Sequence, residues 1–89
     1  MSIKLDGEHR DTLEQLFSHS RGNVEWRRVL SLLEAVGEVR ARGNGKLEVE
    51  LGGEMEVLEP PRHKDVDEQL LVDLRRMLRR AGFAPNRPR

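Results

Sequence analysis

At Gly37 the spacing of apolar residues changes, and no other feature constrains the fold so tightly. Before it, Trp26, Val29, Leu30, Leu33 and Val36 follow the i, i+3, i+4, i+7 spacing of an amphipathic helix, with Glu25, Arg28 and Ser31 on the far face. Asn23 is placed to cap that helix, and Gly37 to stop it at C′. After Gly37 the period is two. Val39 and Ala41 alternate with charged residues, then Leu47, Val49 and Leu51, then Met55 and Val57, so three strands are expected, each with one wet face. A chain of 89 residues has room for one core only, so helix and strands must share it.

The turns set the register. A three-residue loop Gly43-Asn44-Gly45 puts Ala41 opposite Leu47 and Val39 opposite Val49, with Gly45 at the position that wants φ > 0. A two-residue Gly52-Gly53 turn would put Leu51 on the same face as Glu54. A three-residue loop or a bulge is therefore expected there.

Pro60 and Pro61 end the third strand, and Asp65-x-x-Glu68 reads as a capping box for a last helix. Its buried stripe is Val66, Leu70, Leu74, Met77, Leu78 and Ala81, and Gly82 closes it. Arg75, Arg76, Arg79 and Arg80 fall on the other side, where cations near a helix C-terminus are favoured by its dipole. At the other end, Asp6 can cap a short helix from about Glu8, with Leu13, Leu16 and Phe17 on one edge, interrupted across residues 18–22.

The sum is an α+β fold of order α-α-β-β-β-α, a three-stranded antiparallel sheet with helices packed on one face. Residues 1–84 form one domain, of which 1–22 are an N-terminal extension and 24–83 the core; the Pro/Arg-rich residues 85–89 are expected to be disordered. Helices flanking three consecutive antiparallel strands are the architecture of double-stranded-RNA-binding domains.

Composition narrows the function classes. With no cysteine there is no disulfide and no thiolate metal site, which fits a reducing cytosol. The N-terminus has no continuous apolar stretch of the signal-peptide kind and no run is long enough to span a bilayer, so a cytoplasmic location without membrane contact is expected. Formal net charge is zero, but it is unevenly spread: residues 1–45 net 0, residues 46–59 net −4 and residues 60–89 net +4. Trp26, Phe17 and Phe83 are the only aromatics, too few for base-stacking platforms. His9, His19 and His63 lie in no cluster with metal-ligand spacing, so neither metal nor other cofactor is assigned.

Between Val24 and Phe83 the chain resembles the HicA toxins of bacterial toxin–antitoxin pairs. The likeness rests on the order of elements, on Leu32-Leu33-Glu34-Ala35-Val36-Gly37, on Arg42-Gly43-Asn44-Gly45 at the hairpin, and on Lys64-Asp65-Val66 leading to Leu74-Arg75-Arg76-Met77-Leu78-Arg79-Arg80-Ala81-Gly82-Phe83. The resemblance implies a double-stranded-RNA-binding type of fold, RNA as partner and a HicB-like antitoxin as protein partner. The family cleaves messenger RNA with the histidine of a Gly-Ser-His signature at this hairpin. Here the matching residues are Gly43-Asn44-Gly45, so that catalytic role carries over to no residue.

Two basic clusters remain as candidate RNA contacts. The hairpin register places Arg42 opposite Lys46, a like-charge pair that invites an anion, although two solvated side chains beside a turn would also explain it. Arg62-His63-Lys64 precedes the last helix, whose orphan N–H groups also favour anions, and is the stronger of the two; an ordinary polar connection after Pro60-Pro61 is the alternative. Together they would form a two-point phosphate clamp, weakened by the neighbouring Asp65 and Asp67. Three functional expectations follow in order: a HicA-like RNA-binding or toxin-derived module without cleavage activity, a protein-interaction or dimerisation module, and a messenger-RNA nuclease with a rearranged site using His63.

Overall fold

A computed structural model describes residues 7–18 and 23–83. Its elements run α1 (Gly7–Phe17), α2 (Trp26–Val36), β1 (Glu38–Ala41), β2 (Leu47–Leu51), β3 (Glu54–Leu58) and α3 (Glu68–Arg80). The sheet is antiparallel in the order β1-β2-β3. This is the α+β order expected. Val49, Leu51 and Leu58 turn one sheet face to the helices, and they share a core with Leu32 and Leu33 of α2 and Leu74 and Leu78 of α3. The expected cap Asp6 and the tail 85–89 lie outside the described residues.

α1 is part of that core rather than an appendage. Leu13 and Leu16 are buried, and Thr12, also buried, satisfies its hydroxyl on the Glu8 carbonyl at 3.0 Å. The end of α1 is held by a residue of another helix: Arg75 of α3 donates to the carbonyls of Leu16 and Ser18. Cationic side chains at a helix C-terminus satisfy its orphan carbonyls and complement its dipole.

The ends of α2 differ from expectation. Asn23 does not cap it; Glu25 is the N-cap and makes no side-chain cap bond. Residues 24–26 are instead bound to the segment before α3, with Trp26 N–H donating to the Lys64 carbonyl at 2.7 Å and Val66 N–H to the Val24 carbonyl at 2.8 Å. Backbone pairing has taken over the work of a cap. At the other end Gly37 is extended, with φ −160°. Glycine is needed there for closeness: a Cβ would lie 2.2 Å from the Glu50 carbonyl oxygen and 2.5 Å from Leu51 Cδ2.

The first hairpin has the expected register, Ala41 opposite Leu47 and Val39 opposite Val49, with Gly45 at φ 86°. The second does not. Gly52 and Gly53, at φ 56° and 85°, form a two-residue turn, and Leu51 pairs directly with Glu54. Two successive positive φ angles are the signature of a type I′ turn, which a glycine pair adopts without strain. Glu54 and Glu56 consequently face the helices, and Met55 and Val57 face solvent, the reverse of the expected alternation. Arg76 and Arg80 of α3 meet those carboxylates, Arg76 at 3.4 Å from Glu56 and Arg80 at 3.7 Å from Glu54.

α3 is capped by Asp67 and not by Asp65, the Asp67 carboxylate accepting from Leu70 N–H at 2.8 Å. Its C-terminus is a Schellman turn: Gly82 has φ 86°, Gly82 N–H donates to Arg79 and Phe83 N–H to Leu78. The arginines of α3 do more than answer a dipole. Arg75 closes α1, Arg76 and Arg80 hold β3, and Arg79 lies 5.4 Å from the Phe17 ring centre.

Candidate nucleic-acid interface

The chain leaves β3 at Leu58, turns through Pro60 and Pro61, and passes the end of the first hairpin before α3 begins. A groove of about 640 Å³ opens where these segments meet. Lys46 borders it from the start of β2; Arg62 and His63 border it from the connection. Residues sixteen positions apart in the chain therefore share one concavity. Val57, Leu58, Pro60 and Pro61 give it an apolar side.

The five expected contacts do not all meet there. Lys46, Arg62 and His63 line the groove, whereas Arg42 and Lys64 do not. The Arg42 guanidinium reaches Glu48 instead, 3.7 Å away. Arg42 and Lys46 are opposite one another through the Arg42 N–H bond to the Lys46 carbonyl, but the neighbouring glutamate answers the arginine's charge. Lys64 is exposed, and its carbonyl is taken by Trp26 N–H. Among the described residues no carboxylate pairs with Lys46, Arg62 or Lys64. All three residues are exposed to solvent.

Acidic residues share the groove. Glu59, Asp65, Asp67 and Asp73 also line it. Two of these are occupied: Asp67 caps α3, and Asp73 accepts from Gln69 and lies 3.5 Å from Arg76. Glu59 and Asp65 remain as charges that offset Lys46 and Arg62. Among the described residues no hydrogen bond orients the His63 ring. Among the described residues no group of three or more His, Asp or Glu is arranged to hold a metal ion.

The open face of the sheet has a different character. Arg40 sits among three glutamates, donating to Glu38 at 2.6 Å and Glu50 at 3.3 Å, with Glu48 at 3.8 Å. The Glu50 and Glu38 hydrogen bonds hold its pKa above the usual arginine value. Acidic charge is in excess here, so an RNA backbone would be repelled from the sheet face. The register of the first hairpin is enough to expect Arg40 opposite Glu48 as a cross-strand ion pair; the convergence of Glu38 and Glu50 on the same guanidinium has no signal in the sequence. None of the described helices is long and apolar enough to cross a membrane.

In comparison with known proteins, no family model, no curated relative and no solved structure matches this chain.

Proposed function

We propose that the chain is a small HicA-like RNA-binding module that lacks the messenger-RNA cleavage of the family it resembles. The observation that carries the reading is the groove itself, in which Lys46 from the hairpin and Arg62 and His63 from the connection before α3 line one concavity. Two cations from separate segments contact two phosphates of one strand or of two strands facing across a duplex groove. The contact set is smaller than the five residues expected, because Glu48 answers Arg42 and Lys64 lies outside the groove. Base readout has little support, with no Phe, Tyr or Trp among the described residues lining the groove, so binding is by backbone charge and shape.

The absence of cleavage has its own support. Gly45 stands where the resemblance puts the catalytic histidine, and its φ of 86° is a backbone state that side-chain-bearing residues rarely adopt. The hairpin is built around a glycine at this point. A HicB-like antitoxin remains the protein partner that the resemblance suggests. The test is incubation of purified protein with messenger RNA, together with expression in a bacterial host. RNA left intact and growth unaffected are the expected results. Cleavage by the wild type that disappears in His63→Ala would replace this reading with a rearranged nuclease site.

A further inference from the structure

The groove that Lys46 and Arg62 border also holds an exposed histidine, His63, next in the chain to Arg62. Among the described residues its ring makes no hydrogen bond, so both nitrogens are open to a ligand. Histidine is the side chain whose charge ordinarily changes between about pH 5 and 8. What one proton does here depends on the charges it joins.

Those charges come from every segment that lines the groove. Lys46 stands just before β2, Glu59 just after β3, Arg62 and Asp65 in the connection, and Asp67 and Asp73 at the cap and in the body of α3. Two of the carboxylates are compensated elsewhere: Asp73 by Arg76 at 3.5 Å, and Asp67, in part, by the amide groups and dipole of the helix it caps. Lys46 and Arg62 are then set against Glu59 and Asp65. The groove sits at or just below electroneutrality while His63 is neutral. A phosphate backbone arriving there meets two cationic donors but little net attraction. A proton on His63 tips the balance towards positive charge and adds a third cationic donor beside Arg62.

We propose that His63 is a proton-dependent phosphate contact, so that the groove takes up a proton as it binds RNA and holds the backbone more tightly on the acid side of neutrality. This rests on the RNA-binding reading and adds a regulation to it. Linkage fixes the sign. A bound phosphate favours the charged imidazole, so the titration midpoint of His63 is higher in the complex than in the free protein. Affinity therefore rises as pH falls through those two midpoints and is level outside them. By reciprocity, a midpoint about one unit higher means binding about tenfold tighter. Lysine, arginine and carboxylate side chains ordinarily titrate outside about pH 5 to 8, so His63 is the groove residue that answers to this range.

Fluorescence anisotropy of the full chain with one RNA duplex, at about pH 5.5 and about pH 8.5 and over a series of salt concentrations, tests it. Wild type is expected to bind about tenfold more tightly at the lower pH. Its salt slope there should be steeper by about 0.7–0.9, the release expected for one further phosphate contact. His63→Gln should lose both differences. His63→Lys, whose charge is fixed across this range, should show the steeper slope at both pH values. In a nuclear magnetic resonance titration the His63 midpoint should move up by about one unit when the RNA is added. Duplex binding with the same affinity and slope at both pH values overturns the inference and leaves the RNA-binding reading standing. So does a pH response that survives in His63→Gln, or a His63 midpoint that RNA does not move. A wild type with no salt-dependent binding at either pH overturns both.

Discussion

The Glu56 carboxylate lies under the sheet, 3.4 Å from the Arg76 guanidinium, on the face where an alternating strand would have placed a valine. That pair records the register of the second hairpin. A double-mutant cycle with Glu56→Gln and Arg76→Ala should give a favourable coupling of about 0.2–1 kcal/mol, the range for half-exposed ion pairs. Zero coupling, measured by urea denaturation, would mean that the pair adds nothing to stability.

Gly37→Ala is expected to destabilise the fold by about 1–3 kcal/mol, or more, as an overpacked site against backbone that has little room to move. The Glu50 carbonyl belongs to the central strand, so the new methyl group must push β2 away from the end of α2. An unchanged denaturation midpoint would mean that the two do not approach so closely.

Gly45→Val should cost about 1–3 kcal/mol for a different reason, because nothing lies within 4 Å of a Cβ there and only the positive φ is at stake. Gly45→Asn should cost less, since asparagine tolerates the left-handed region. Equal losses for the two variants in thermal melts would point to lost contacts in place of backbone strain.

The sequence carried the order of elements and the first hairpin because three local signals agreed there: the period change at Gly37, a three-residue loop and a glycine at the bulge. It misled at the second hairpin. Periodicity assigned Met55 and Val57 to the core because they are apolar, but the Gly52-Gly53 pair favours a type I′ turn strongly enough to override alternation, and the cost of turning Glu54 and Glu56 inward is offset by arginines about twenty residues downstream. A partner that distant has no local signature. The caps failed in a similar way, since Asn23 and Asp65 are good cap residues whose segments pair with each other instead. Of the candidate site, the meeting of residues 46 and 62–63 followed from the hairpin and the connection, but Glu48's hold on Arg42 needed the side-chain geometry.

α1, read from the sequence as an extension, buries Leu16 completely and receives Arg75 at its end. Leu16→Ala should therefore cost about 2–5 kcal/mol, a core value. A loss below about 0.5 kcal/mol in urea denaturation, typical of a surface site, would return α1 to the status of an accessory segment.

The RNA-binding proposal stands or falls on the salt dependence of duplex RNA binding, followed by fluorescence anisotropy for wild type, Lys46→Ala, Arg62→Ala and Arg42→Ala. Each phosphate contact releases condensed counterions, so losing one should lower the slope of log K against log salt by about 0.7–0.9. The account predicts that reduction for Lys46→Ala and Arg62→Ala, to a similar degree across RNA sequences, and a smaller one for Arg42→Ala because Glu48 already answers its charge. A wild type with no salt-dependent binding at micromolar concentration would contradict it, as would binding lost only when Arg79 and Arg80 are replaced.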